Sequence, residues 1–217
     1  MVETVFLLGC PGSGKSTSTH CIEMIARDEN EKLSVERFTD YQILDDWFQA
    51  DEECRRFRPS KHGGFDILDD NIYDEALAVL RDKVLECKSL KVHDLLVVDF
   101  ARADYRSAFD LLGKNLIQNS LFLLFHAEIA TCIQRIQERV RTATSFDDHF
   151  TSEFILETYD RPNYIGSIVT MLEENYQVDE RRIRIINNSS KHSKEDLYRQ
   201  MSEFVEDLVH RKSVLPV

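Results

Sequence analysis

The sequence predicts a doubly wound α/β domain, and three observations carry that expectation. Strand-like and helix-like segments alternate along the chain, and the strand-like runs are almost wholly apolar. A glycine-rich turn joins the first of them to a helix-compatible run. At 217 residues the chain is long enough for one such domain with a sound core. No repeat, low-complexity tract or linker interrupts it, so 1–217 reads as a single unit.

The elements follow in order. Residues 5–8 (VFLL) form the first strand and 16–27 the first helix. After a polar turn, 33–38 read as the second strand, ending in Thr39-Asp40-Tyr41, and 42–56 as a helix carrying Ile43, Leu44, Trp47 and Phe48. RPSKHGG (58–64) is the strongest loop signal in the chain. A helix over 71–88 places Ile72, Ala76, Val79, Leu80 and Val84 roughly on one face, and 95–100 is a buried strand. Residues 105–112 are helical, 121–125 a further buried strand and 127–142 a helix. A polar segment follows at 143–151. Two helical stretches fill 152–175, 182–186 is the last strand, and 194–211 a closing amphipathic helix.

Between the first strand and helix stands Gly9-Cys10-Pro11-Gly12-Ser13-Gly14-Lys15-Ser16, the pattern GxxxxGKS in its strand, loop and helix setting. Its glycines let successive N–H groups turn inward on a phosphate, and the helix start adds unpaired donors. The stretch from Gly9 through Ser16 and Thr17 is therefore the predicted nucleotide cradle. Lys15 is expected at the β- and γ-phosphates, and the Ser16 hydroxyl on Mg²⁺. The motif implies binding of a nucleoside triphosphate.

Bulk properties narrow the reading. The net charge of −12 argues against a duplex nucleic-acid footprint over the whole chain. Five cysteines without regular spacing read as reduced thiols rather than a disulfide framework. A strand begins within a few residues of Met1, leaving no room for a signal peptide, and no run is apolar enough to span a bilayer. The expected compartment is the cytoplasm.

Several side chains fall where phosphoryl transfer needs them. Asp99 ends the apolar run 95–98, where a carboxylate can hold Mg²⁺ beside the loop hydroxyl, or simply cap a turn. Asp40 ends the second strand, where it can accept a proton from an acceptor hydroxyl or start the next helix. Which acid is base and which is metal ligand stays open. Arg102, three residues past Asp99, can clamp a phosphate with its fork. Arg135 and Arg139, one helical turn apart, share a face, with Arg141 beyond them. They are either a solvated basic face or the start of a lid over about 135–151 that closes on the triphosphate. Asp147, Asp148 and His149 read as a lid contact or surface turn rather than metal ligands. Cys10 sits beside a helix N-terminus, where oxidation would block nucleotide binding, but the favoured reading is a small residue that simply fits the loop.

An insertion over about 41–75 is where acceptor identity is expected. Arg55, Arg56, Arg58, Lys61 and His62 are a basic knot interleaved with Trp47, Phe48, Phe57 and Phe65. Aromatic faces beside guanidinium groups suit a planar ring bearing an anion. Pairing with Asp51, Glu52 and Glu53 at the surface explains the same charges.

The ordered set of GCPGSGKS, Asp40, DFAR, RIQER and INNSS resembles the P-loop kinases of the nucleoside and nucleoside-monophosphate kinase group, over nearly the whole chain. FDILDD, DFARADY, CIQRIQERV and DDHF resemble prokaryotic members of unassigned substrate. The resemblance implies a three-layer fold with a five-stranded parallel sheet in the order 2-3-1-4-5, plus a lid and an acceptor-binding insertion. It implies that Asn187, Asn188 and Ser189 contact the adenine and that Asp99 and Arg102 handle acceptor and phosphate. The acceptor motifs of adenylate and thymidylate kinases are not found, so no acceptor is inherited. DFAR in place of DxxG, and no NKxD, argue against a regulatory GTPase. The expected function is an ATP- and Mg²⁺-dependent phosphotransferase acting on a small acceptor, a nucleotide or nucleoside, with an anionic acceptor among the options. A slowly hydrolysing ATP-binding regulator and a polynucleotide 5′-hydroxyl kinase are the alternatives.

Overall fold

A computed structural model describes residues 2–28, 33–60, 64–102, 104–141, 151 and 153–214. The first strand, β1 (Glu3–Gly9), is buried on both faces from Thr4 onward, as a central parallel strand must be. It pairs in parallel with β5 (Leu95–Asp99) on one side and β6 (Leu121–His126) on the other. Beyond β5 lies β2 (Val35–Thr39), and beyond β6 lies β7 (Ile183–Asn187). Counting the strands of this five-stranded sheet along the chain, the order is 2-3-1-4-5.

The period-two alternation of β1 divides the core. Val5 and Leu7 pack with Ile22 and Ile25 of α1 (Lys15–Asp28) and with Leu197, Met201, Phe204 and Val205 of α9 (Lys194–Val214). Phe6 and Leu8 point the other way, into a cluster with Leu80 and Val84 of α3 (Asn71–Leu90), Phe109 of α4 (Tyr105–Leu112) and Leu172 of α8 (Tyr164–Tyr176). Ile117 of α5 (Lys114–Gln118), a short helix absent from the sequence expectation, joins that second cluster. Each fully buried Leu, Val or Phe contributes about 1.5–3 kcal/mol relative to exposure. A strand that does this on both faces has to be central.

The insertion differs from its expected form. Helix α2 (Asp40–Ala50) starts at the N-cap Thr39, whose hydroxyl accepts from the Tyr41 N–H at 3.3 Å, and it ends six residues short of the expected end at residue 56. The cause is Asp51. Its carboxylate accepts the backbone N–H groups of Arg55, Arg56 and Phe57 at 3.0, 2.7 and 2.9 Å, offering the chain a tight turn in place of another helical turn. These bonds, that from Arg56 foremost, hold the Asp51 carboxyl below its usual range. The chain then forms an antiparallel hairpin, β3 (Phe57–Pro59) with β4 (Phe65–Ile67), so that Arg58 and Pro59, expected in a loop, belong to a strand. Phe48, Phe57 and Phe65 pack ring on ring at 5.1–6.2 Å, joining the hairpin to α2.

On the far side, α6 (Ile129–Arg141) follows β6. The expected pair of helices over 152–175 is α7 (Glu153–Glu157) and α8. A single 3₁₀ turn, Glu180–Arg182, leads into β7. No described helix is long and apolar enough to cross a membrane.

Candidate active site

Parallel register brings the carboxyl ends of the strands to one edge. Thr39 and Leu7 flank Asp99, Gly9 lies beside Phe125, and His126 lies beside Asn187. The loop from Gly9 to Gly14 curls over this edge before α1 begins at Lys15. Close approach forces three glycines here, Gly9 against the Phe125 carbonyl and, further along the loop, Gly12 and Gly14. Gly12 has φ +82°, and a Cβ there would lie 2.7 Å from the Cys132 carbonyl oxygen on α6. Gly14 has φ +105°, and a Cβ there would lie 2.3 Å from the Asn188 amide nitrogen. The Ser13 N–H donates to the Cys10 carbonyl at 3.1 Å, closing the turn.

Lys15 folds back over this loop. Its Nζ donates to the Gly9 and Cys10 carbonyls at 3.0 and 3.3 Å and stands 4.0 Å from Asp99 Oδ1. Lys15 and Asp99 are both buried. The Ser16 hydroxyl donates to Asp99 Oδ2 across 3.5 Å, at the limit of a hydrogen bond. Lys15, Ser16 and Asp99 therefore meet as the sequence predicts. Thr17 is exposed on the helix start.

A fourth member was missed. Arg37, in the middle of β2, brings its Nη2 to 3.6 Å from Asp99 Oδ2. The available signal was a charged residue inside a short strand next to the strand that ends in the acid. Tyr105 was also read only as the start of a helix. Its buried hydroxyl accepts from the Gly9 N–H at 3.1 Å and lies 3.5 Å from the Phe100 carbonyl, so it ties the loop to the exit of β5. Burial pushes its phenol well above the usual range.

Asp40 and Arg102 find each other. Arg102 Nη1 pairs with Asp40 Oδ2 at 2.6 Å and also donates to the Ala101 carbonyl at 2.8 Å. Nη2 donates to the Tyr73 carbonyl at 2.9 Å, and the guanidinium lies 5.0 Å over the Tyr73 ring. The fork expected to clamp a phosphate is thus largely committed to protein groups, because a buried guanidinium needs partners. The Tyr164 hydroxyl, from α8, donates to the Arg102 carbonyl at 3.3 Å.

Asn188 is likewise turned inward. Its amide donates to the Ser13 carbonyl at 2.8 Å, and its Oδ1 receives Arg135 Nη2 at 3.5 Å. It is buried and braces the glycine-rich loop, where the resemblance implied an adenine contact. Asn187 Oδ1 accepts the Ser189 N–H at 3.2 Å, and the Ser189 hydroxyl meets His192 Nδ1 at 3.1 Å.

Arg135 and Arg139 are half-buried on α6, and Arg141 is exposed at its end. Arg139 acts electrostatically on Tyr41 of α2, partly countering the burial and the Asp45 charge that push that phenol up to about 12. The two arginines therefore reach toward different partners, the last-strand loop and the insertion. Residues 142–150 of the expected lid, with Asp147, Asp148 and His149, lie outside the described residues.

In the insertion, Arg55 pairs with Glu53, Arg56 pairs with Glu75 and lies 5.1 Å over Trp47, and Arg58 pairs with Asp66 at 3.0 Å. Each charge has a carboxylate neighbour; the Arg55 and Arg58 pairs are exposed, and Arg56 itself is half-buried. This is the surface pairing that the sequence offered as the other explanation, extended to acids of α3 and β4. Lys61 and His62 lie outside the described residues.

The donor set suits a hard divalent cation. Ser16 and Asp99 present hydroxyl and carboxylate oxygens side by side, and Mg²⁺ characteristically takes one or two protein oxygens with water and phosphate for the rest. Among the described residues no group of three or more His, Cys, Asp or Glu side chains can hold a metal. A cavity of about 250 Å³ opens beside Cys10, lined by His126, Glu128, Tyr159, Arg161 and Tyr164 among others.

No protein-family model matches the sequence, and no curated protein matches it. Solved structures do. A putative kinase from Chloroflexus aurantiacus aligns with 95% of this chain and 97% of its own at 10% identity, TM-score 0.59. The APS kinase CysC of Mycobacterium tuberculosis, in complex with AMPPNP and APS, aligns with 96% and 98% at 17% identity, TM-score 0.54. Kti12 of Chaetomium thermophilum, in complex with ADP-AlF3, aligns with 95% and 98% at 13% identity, TM-score 0.54. At these identities the likeness is one of fold, and it extends over nearly the whole chain. The chain has the fold of the P-loop kinases.

Proposed function

We propose that this protein is an ATP- and Mg²⁺-dependent phosphotransferase acting on a small acceptor, a nucleotide or nucleoside. The observation that carries the reading is the convergence of Lys15, Ser16 and Asp99 under the glycine-rich loop at the carboxyl edge of the sheet. The complexes of APS kinase with AMPPNP and APS, and of Kti12 with ADP-AlF3, support a nucleotide in the corresponding cleft.

In this reading the loop N–H groups and Lys15 hold the triphosphate, with Lys15 leaving its two loop carbonyls for phosphate oxygens. Ser16 and Asp99 would hold Mg²⁺, which when bound neutralises charge on the β- and γ-phosphates. Arg37 offsets the Asp99 charge from the side. Asp40 gives one carboxylate oxygen to Arg102, leaving Oδ1 to accept the acceptor proton as the acceptor oxygen bonds to phosphorus and the bond to ADP breaks. Arg135 and Arg139 supply charge for the transferring group from α6. Alignment and charge neutralisation do the work, with no covalent intermediate. The single unit 1–217, with its insertion near 41–75 and lid near 135–151, belongs to the same proposal, as does the cytoplasm as its place.

A regulator that binds ATP without an acceptor is the reading favoured by the mutual pairing of Asp40 and Arg102. One experiment separates the two: ADP release by purified protein, at fixed ATP and Mg²⁺, across a panel of nucleosides, nucleotides and simple hydroxyl compounds. Acceptor-dependent release that Lys15→Ala abolishes supports the kinase. ATP binding with no acceptor dependence anywhere in the panel supports the regulator.

A further inference from the structure

Of the five cysteines, two share one buried cluster. Cys10 of the glycine-rich loop and Cys132 of α6 pack together with Ile136, Leu156 and Tyr159. Cys21 and Cys87 border the two sheet-face clusters, and Cys54 is exposed. The loop backbone is pressed against the same helix turn, because a Cβ on Gly12 would fall 2.7 Å from the Cys132 carbonyl oxygen. Cys10 also lines the 250 Å³ cavity, so this side of the thiol pair has a path for a small molecule.

We infer that Cys10 and Cys132 are an oxidation site, at which a hydroperoxide entering the cavity converts the two thiols into a disulfide that ties the nucleotide loop to α6. One thiolate attacks the peroxide, the O–O bond breaks, and a sulfenic acid forms as hydroxide leaves and takes up the thiol proton. The second sulfur displaces water from that sulfenic acid, and the S–S bond forms. Two electrons pass from sulfur to the peroxide oxygens, and two waters leave when the oxidant is hydrogen peroxide. The electrostatics agree with a reactive pair. A hydrogen bond donated by the Cys10 thiol holds Cys132 below the ordinary thiol range against the opposing effect of burial, with Arg135 and Lys15 acting in the same direction. That bond and burial push Cys10 itself up, so that Cys132 is the thiolate of the pair.

The consequence for the site follows from Lys15. Its Nζ is held by the carbonyl of Cys10 itself, at 3.3 Å. An S–S bond of about 2 Å requires the two Cα atoms to lie roughly 4.4–6.8 Å apart with a set dihedral. Meeting that geometry fixes the loop residue whose carbonyl positions Lys15 and fastens the loop to the helix that carries Arg135. The loss of nucleotide affinity rests on the proposed function, whereas the disulfide does not.

The test treats the reduced full-length protein with hydrogen peroxide, then alkylates it and maps its peptides by mass spectrometry. In parallel, affinity for a fluorescent ATP analogue with Mg²⁺ is measured before oxidation, after oxidation and after dithiothreitol. The expected result is a Cys10–Cys132 cross-linked peptide and an affinity loss of about tenfold or more, both reversed by dithiothreitol. Cys132→Ser should bind the analogue as the reduced wild type does and show neither change, with Cys132→Ala as the substitute should the serine fail to fold. Both thiols alkylated after peroxide, or over-oxidised without a cross-link, would overturn the inference and leave the two cysteines as core filling. A cross-linked protein with undiminished affinity would overturn the regulatory consequence. Should the reduced protein not bind the analogue at all, the nucleotide reading fails while the peptide map still decides the disulfide.

Discussion

Replacing Asn188 with Ala tests whether this residue reads the base or braces the loop. Its amide nitrogen lies 2.8 Å from the Ser13 carbonyl and fills the space beside Gly14, where a Cβ would come within 2.3 Å of it. The residue is 5% exposed. Truncation removes the donor, leaves a buried carbonyl unsatisfied and strips Arg135 of its contact with Oδ1. An orphaned buried acceptor costs about 1–3 kcal/mol. In a chain of this size each kcal/mol moves the thermal midpoint by about 2–4 °C, so a drop of roughly 2–12 °C is expected. If half or more of that energy is realised only in the phosphate-binding arrangement of the loop, nucleotide affinity falls by about 2- to 140-fold. The brace acts on the loop and not on the base, so ATP and GTP affinities should fall by the same ratio. Thermal unfolding and competition binding with both nucleotides measure this. An unchanged midpoint with selective loss of ATP would refute the brace and restore the adenine contact.

Three further outcomes are expected. Lys15→Ala should lose turnover by on the order of 10²-fold or more with the fold retained by circular dichroism, and near-normal turnover would rule out the nucleotide cradle. Asp99→Asn should raise the Mg²⁺ requirement, with partial rescue by Mn²⁺. Asp40→Asn should keep ATP affinity and lose turnover across the accessible pH range; unchanged kinetics in both would mean the catalytic edge is elsewhere. Arg55→Ala and Arg58→Ala should leave acceptor KM within experimental scatter, because Glu53 and Asp66 already hold those charges, and a tenfold rise in either would reinstate an anion clamp in the insertion.

The parts of the site that could be read in the sequence are those written locally. Lys15 and Ser16 sit inside one contiguous motif, and Asp99 ends a run whose unbroken apolarity marks a strand covered on both sides. Once strands alternate with helices, their carboxyl ends share an edge, and the three meet without further information. Arg37, Tyr105 and the inward turn of Asn188 were hidden for the opposite reason. Each acts across a contact between residues far apart in the chain, Arg37 with Asp99, Tyr105 with Gly9 and Asn188 with Ser13, and even where a charge inside a strand marks one member, as at Arg37, the local pattern does not name its partner. The insertion shows a different failure. The apolar spacing of Ile43, Leu44, Trp47 and Phe48 gave the face of α2 correctly. Its end was set by Asp51 collecting three backbone N–H groups, a competition invisible in helix periodicity. The same turn draws Arg55 and Arg56 toward nearby acids, so a cluster that looks like a clamp in one dimension is a set of surface pairs in three.

Charge is distributed in a way that only the fold reveals. The chain carries a net −12, yet its P-loop edge gathers Lys15, Arg37, Arg102 and Arg135 against the buried carboxylates Asp40 and Asp99. Two cations lie within 4.0 Å of Asp99 and one within 2.6 Å of Asp40, so each acid is matched or exceeded by positive charge before any ligand arrives. Arg135 has only the neutral amide of Asn188 as its named partner, and its Nη1 is buried without a hydrogen-bond partner among the described residues. An excess of buried positive charge is costly unless an anion offsets it. The insertion arginines Arg55, Arg56 and Arg58, by contrast, are exposed or half-buried and each is paired with a nearby carboxylate. Among the described residues the electrostatic demand therefore lies at the glycine-rich loop rather than at Arg55, Arg56 and Arg58, and this supports the phosphate site proposed there.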